Sequence, residues 1–186
     1  MEYDTLARSL VPSQIEGLHN WIVRKGRFHE RNYHLNFMFK QLPSNEKAIK
    51  AMMRDEVERV YSILLTREVR RPHSPLAERQ MPVFVGCPDL PVPKRDKATR
   101  RLVVANDGWH FNGVLVLSSF SRGKFDPEID FERLRHVFCP TERRLERIWP
   151  TRIEYGSMAD YTMKALKNGR VDWDDILVLP RSQSEF

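Results

Sequence analysis

An α+β fold, with helices flanking an antiparallel sheet, is what the sequence predicts. Three observations carry that expectation. An early segment alternates strictly between apolar and polar residues, a long amphipathic segment follows it, and an apolar run in the middle of the chain is punctuated by a turn. The 186 residues suit one domain with an extension. A hydrophobic content of 41% with 10% aromatics is that of a chain that buries a core.

The elements read as follows. In "SLVPSQIEGLHNWIVRKGR", Ile15, Leu18, Trp21 and Ile22 recur at helical spacing, with Ser13 as N-cap. "YHLNFMFKQL" alternates, placing Leu35, Phe37 and Phe39 on one face and His34, Asn36 and Met38 on the other, as a strand does. "PSNEKAIKAMMRDEVERVYSILLTREVRR" has Ile49, Met52, Met53, Val57, Val60, Tyr61 and Leu64 on one stripe, which predicts a long helix. Residues 72 to 99 hold six prolines and read as an irregular connection with a short strand at "PVFVG". "RRLVVA-NDG-WHFNGVLVLSS" predicts a hairpin, because Asn, Asp and Gly accept the positive φ of a tight turn. "DPEIDFERLRHVF" predicts a helix with Asp126 as cap and Pro127 in its first turn. A short strand at "ERIWPTRIEYG", a final helix at "SMADYTMKALKNG" and an edge strand at "DDILVLP" complete the chain. The order is βαββαβ, the ferredoxin-like sandwich, with an additional N-terminal helix. The expected organisation is a helical extension over 1–30, the sandwich over 31–180 and a tail over 181–186.

Net charge is +6 and the isoelectric point about 9.5, an excess compatible with a polyanionic partner, of which nucleic acid is the commonest. No apolar run approaches the roughly 20 residues that span a bilayer, and the opening "MEYDTLARSLVP" has neither signal-peptide nor transit-peptide character. The expectation is a cytoplasmic protein with no membrane partner. Cys87 and Cys139 lie far apart with no CxxC, so free thiols are expected rather than a zinc site.

Two constellations carry chemistry. His110 and Asn112 stand two apart at the head of a strand, which puts an imidazole and an amide on one face. Tyr161 and Lys164 stand at i and i+3 on the final helix and share a face. The first pair can hold a Mg²⁺ or Mn²⁺ ion, and the second can present a phenolate whose charge an ammonium stabilises. Taken singly, each has a plainer account: a strand-head histidine bonded to backbone, and an amphipathic helix packing Tyr161 on the sheet.

In this order and on these elements the sequence resembles the HUH endonucleases, the superfamily of rolling-circle replication initiators, relaxases and single-strand transposases. "HLNFMF" (34–39) is the counterpart of their apolar strand, "HFN" (110–112) of their His-hydrophobic-His motif, and "YTMK" (161–164) of their Tyr-x-x-Lys helix. The resemblance covers residues 31 to 170. It implies a divalent metal, Mg²⁺ or Mn²⁺, on His110 and Asn112, and cleavage of single-stranded or hairpin DNA by Tyr161 through a 5′-phosphotyrosine, with Lys164 neutralising phosphate charge. The sequence departs from the pattern at Asn112, where the family has a second histidine; some initiators carry glutamine there. A third ligand is expected, with Asp107 in the turn the nearest candidate, ahead of Glu154 and Asn36. Tyr155 is a rival nucleophile without a lysine at i+3. Lys94, Arg95, Lys97, Arg100, Arg101 and Lys167 are the expected contacts to the DNA backbone. His34 and His136 read as structural. No GxxxxGK[ST] motif occurs, so unwinding would fall to a separate helicase. The alternative from another class is a ferredoxin-like single-strand binding module without catalysis. An RNA-binding sandwich stacking bases on Phe37 and Phe39 would further require that their face be open.

Overall fold

The structure is a computed structural model and describes residues 16–21, 23–24, 31–89, 109–153 and 172–181. Among the described residues, five strands form one antiparallel sheet in the order β4-β1-β3-β2-β5. They are β1 (Arg31–Phe39), β2 (Val83–Asp89), β3 (His110–Leu117), β4 (Leu145–Arg152) and β5 (Leu177–Leu179). Helix α1 (Glu46–Glu68) joins β1 to β2, and α2 (Pro127–Arg133) with α3 (Arg135–Phe138) joins β3 to β4. The fold is therefore α+β, a ferredoxin-like sheet with flanking helices, made of two split β-α-β units that each receive a strand of the other between theirs.

Pattern and caps account for the helices. Asn45 caps α1 by accepting from the Ala48 amide at 3.0 Å. The helix buries Ile49, Met53, Val57, Val60, Tyr61 and Leu64. It ends at Val69, whose backbone is extended and whose amide donates to the Leu65 carbonyl, three residues before Pro72, which cannot continue a helix. Asp126 caps α2 and Pro127 opens it, as expected.

The sheet has two unlike faces. The first carries Leu35, Phe37, Phe84, Phe111, Leu115 and Ile148 and is buried beneath α1. Phe37, Phe84 and Phe111 pack at centroid distances of 5.7 to 6.4 Å, worth roughly 1.5–3 kcal/mol each in burial. Phe37 and Phe39, 1% and 2% exposed, are thus core residues, and a base-stacking platform on them is ruled out. The second face is apolar over Val85, Cys87, Val114 and Val116, against which Leu18 and Trp21 of the N-terminal helical residues pack. Toward the start of β3 that face turns polar.

One expected pairing is corrected. β3 does not pair along its length with the run at 100–105, because both its edges are occupied: Val83–Asp89 lies on one side and β1 on the other. Prolines 82 and 88 disguised β2, since proline normally marks the end or edge of a strand. Residues 100–105 lie outside the described residues, as does the helix expected over 157–169. The edge strand expected at "DDILVLP" is β5, paired to β2. Both cysteines are free and buried, as expected.

Candidate functional site

β3 begins at His110, and its pleat places His110 and Asn112 on the second face of the sheet. The register then determines their neighbours. Asn36 of β1 lies directly opposite Asn112, and Met38 opposite His110. On the other side, Asp89 of β2 lies opposite His110 and Cys87 opposite Asn112. Beyond β1, Trp149 of β4 faces Asn36.

Asp89 ties the group together. Its Oδ2 accepts from Asn112 Nδ2 at 3.3 Å and stands 3.6 Å from His110 Nε2. An ionised carboxylate only accepts, so the Asn112 amide must turn its nitrogen toward Asp89, which leaves its oxygen facing away. Asn112 is 5% exposed, and its Oδ1 is buried without a hydrogen-bond partner; so is Oδ1 of Asn36 on the facing strand. Two buried amide oxygens without donors are costly in a protein interior and call for a counterpart.

The surrounding side chains are electrically quiet. Burial, reinforced by the neighbouring His110, lowers the His34 pKa to about 4, so its imidazole is neutral at pH 7. Burial, then Asp89 and Asp175, push the Cys87 thiol up to about 12, which removes it as a nucleophile. At the outer margin the Arg147 guanidinium lies 4.4 Å from the centre of the half-exposed Trp149 ring.

Of the residues expected from the sequence, His110 and Asn112 are brought together, with Asn36 across from them. Asp107, Tyr161 and Lys164 lie outside the described residues, as do Glu154, Tyr155, Lys167 and the basic residues Lys94, Arg95, Lys97, Arg100 and Arg101. Asp89 was not anticipated. The signal for it was the alternation of "VFVGCPD", which puts Val83, Val85, Cys87 and Asp89 on one face and continues three residues past the glycine where the short strand was expected to stop.

Among the described residues no three His, Cys, Asp or Glu side chains converge as a metal-holding group. The donors around Asn112 are of another kind: one imidazole, one carboxylate and two amide oxygens. The orphaned oxygens of Asn36 and Asn112 are what a hard divalent cation takes, and oxygen-rich sets suit Mg²⁺ or Mn²⁺ rather than zinc. Compared with protein-family models, curated proteins and solved structures, the chain matches none.

Proposed function

We propose that the protein is a metal-dependent nuclease that nicks and rejoins single-stranded DNA through Tyr161, serving replication or mobilisation of a plasmid, phage or transposable element. The observation that carries the reading is the polar cluster of His110, Asn112 and Asp89, with Asn36, on the central strands of a ferredoxin-like sheet. In this reading His110 and the Asn112 oxygen, with the Asn36 oxygen on the facing strand, would hold the cation, and Asp89, in the place for which Asp107 was the sequence candidate, would orient Asn112 and His110. A bound Mg²⁺ or Mn²⁺ would polarise the scissile phosphate and ease departure of the 3′-oxygen. Tyr161, its phenolic proton given up to water, attacks phosphorus; the P–O3′ bond breaks, and the departing 3′-oxygen takes a proton from water to become the 3′-hydroxyl. Lys164 favours the phenolate and offsets phosphate charge. The phosphotyrosine conserves the bond energy, so a later 3′-hydroxyl can reverse the step. Supporting the reading, Ile153 and Ile176, which flank the segment carrying Tyr161, both pack on the second face of the sheet.

Asn112 in place of a second histidine favours one other reading, a single-strand binding module without catalysis. One experiment separates them. The protein is mixed with a labelled stem-loop oligonucleotide and Mn²⁺ and resolved on a denaturing gel. A covalent adduct is expected, absent in Tyr161→Phe and reduced about 100-fold or more in Asp89→Ala. An adduct that persists in Tyr161→Phe moves the nucleophile elsewhere. Salt-sensitive binding with no adduct under any metal establishes the binding module.

A further inference from the structure

At the far end of β3, roughly 23 Å from His110 along the strand, the chain turns through residues 118–125 against the last turn of α1. That turn is held by a buried carboxylate. Glu68 is 0% exposed, accepts from the Phe125 amide at 3.0 Å and from the Ser121 hydroxyl, and pairs with Arg31 at 3.2 Å. Arg31 in turn donates to the Phe125 carbonyl, and the Arg122 amide donates to the Glu68 carbonyl at 2.9 Å. Gly123, at φ +63°, closes the turn in a conformation that favours glycine. A fully buried charge with this many partners leaves the backbone between Ser121 and Phe125 little freedom.

What the braced turn presents is positive. Arg122 and Lys124 are exposed on it and line a cleft of about 250 Å³ with Arg67, Thr66 and Arg133. Arg67 is steadied by the Phe138 ring, 5.8 Å from its guanidinium, and its buried Nε–H has no acceptor. The carboxylate in the lining, Asp130, is already engaged: Arg133 reaches it at 2.6 Å and it accepts from the Asp126 amide at 2.7 Å. Among the described residues, no carboxylate pairs with Arg67, Arg122 or Lys124. Three uncompensated cations around one preorganised cleft attract an oxyanion, and guanidinium forks match phosphate oxygens.

We propose that this cleft binds phosphate groups, gripped by Arg67, Arg122 and Lys124. The same chemistry is offered by free phosphate and by the backbone of a nucleic acid, and two arms of one experiment separate them. Full-length protein is titrated with inorganic phosphate by calorimetry, and with a fluorescent single-stranded oligonucleotide by anisotropy at several salt concentrations. Arg122→Ala and Lys124→Ala are compared with Arg144→Ala, which removes the same charge from an exposed position at the opposite end of the sheet. If the cleft holds backbone phosphates, each cleft variant weakens oligonucleotide binding about 3- to 10-fold and lowers the salt slope by about 0.7, the value for one single-strand phosphate contact. If it holds free phosphate, saturable heat appears with wild type and vanishes in the cleft variants while oligonucleotide binding is unmoved. Cleft variants that match Arg144→Ala in both arms overturn the proposal. The nicking reading is scored separately, by the Tyr161 adduct, so either can fail alone.

Discussion

Asn112 sits where a buried strand would ordinarily carry a valine. Its amide is oriented by Asp89 on one side, Asn36 lies opposite it on the other strand, and the Oδ1 atoms of both asparagines are buried without a hydrogen-bond partner. His34, two residues before Asn36 on the same face, adds a pH dependence. Its folded pKa, near 4, lies below the ordinary value of 6.5, mainly through burial. Below pH 6.5 the unfolded chain binds a proton that the folded chain refuses. The full stability is therefore present above pH 6.5 and is lost as the pH falls toward 4, by at most about 3 kcal/mol. Denaturant midpoints measured across that range should decline in the wild type and decline less in His34→Gln; parallel curves would show that His34 titrates normally.

Close approach decides how the central strands pack. Gly86 and Gly113 face each other across β2 and β3, and the Phe84 ring lies over the pair. A Cβ on Gly113 would fall 2.2 Å from Phe84 Cζ and 2.9 Å from the Val85 carbonyl oxygen. Gly113→Ala is expected to destabilise by about 1–3 kcal/mol, as overpacking does. Because one of the two obstacles is a side chain, Phe84→Leu in the same chain should recover part of the loss, measurable as a double-mutant cycle. Here the sequence was only half legible. The alternation of β1, the stripe of α1 and the Asp126-Pro127 start of α2 are local signals, and each is realised where expected. β2 was read as a fragment because its prolines speak against a strand, whereas its pairing depends on β3, more than 20 residues away.

The molecule as a whole closes its sheet with a short last strand. β5 pairs with Phe84–Gly86 and is tethered to α1 by Lys50 to Asp175 at 2.7 Å, Arg54 to the Asp174 carbonyl at 2.6 Å, and Arg181 to Glu58. A chain ending at Val171 would leave that stretch of β2 as an open edge, a template for pairing with other chains. Sedimentation should show such a truncation self-associating more strongly than the intact protein; a truncation that sediments like the intact protein would mean the edge is protected by other means. The sequence by itself determined the class of fold, the strand that carries His110 and Asn112, and the face they share, because periodicity, capping and turn chemistry act within a few residues. Only the tertiary structure decided which strand lies beside that pair. Strand pairing is a long-range choice made by the burial of a whole face, and it brings Asp89, which no local pattern linked to His110, within 3.6 Å of it.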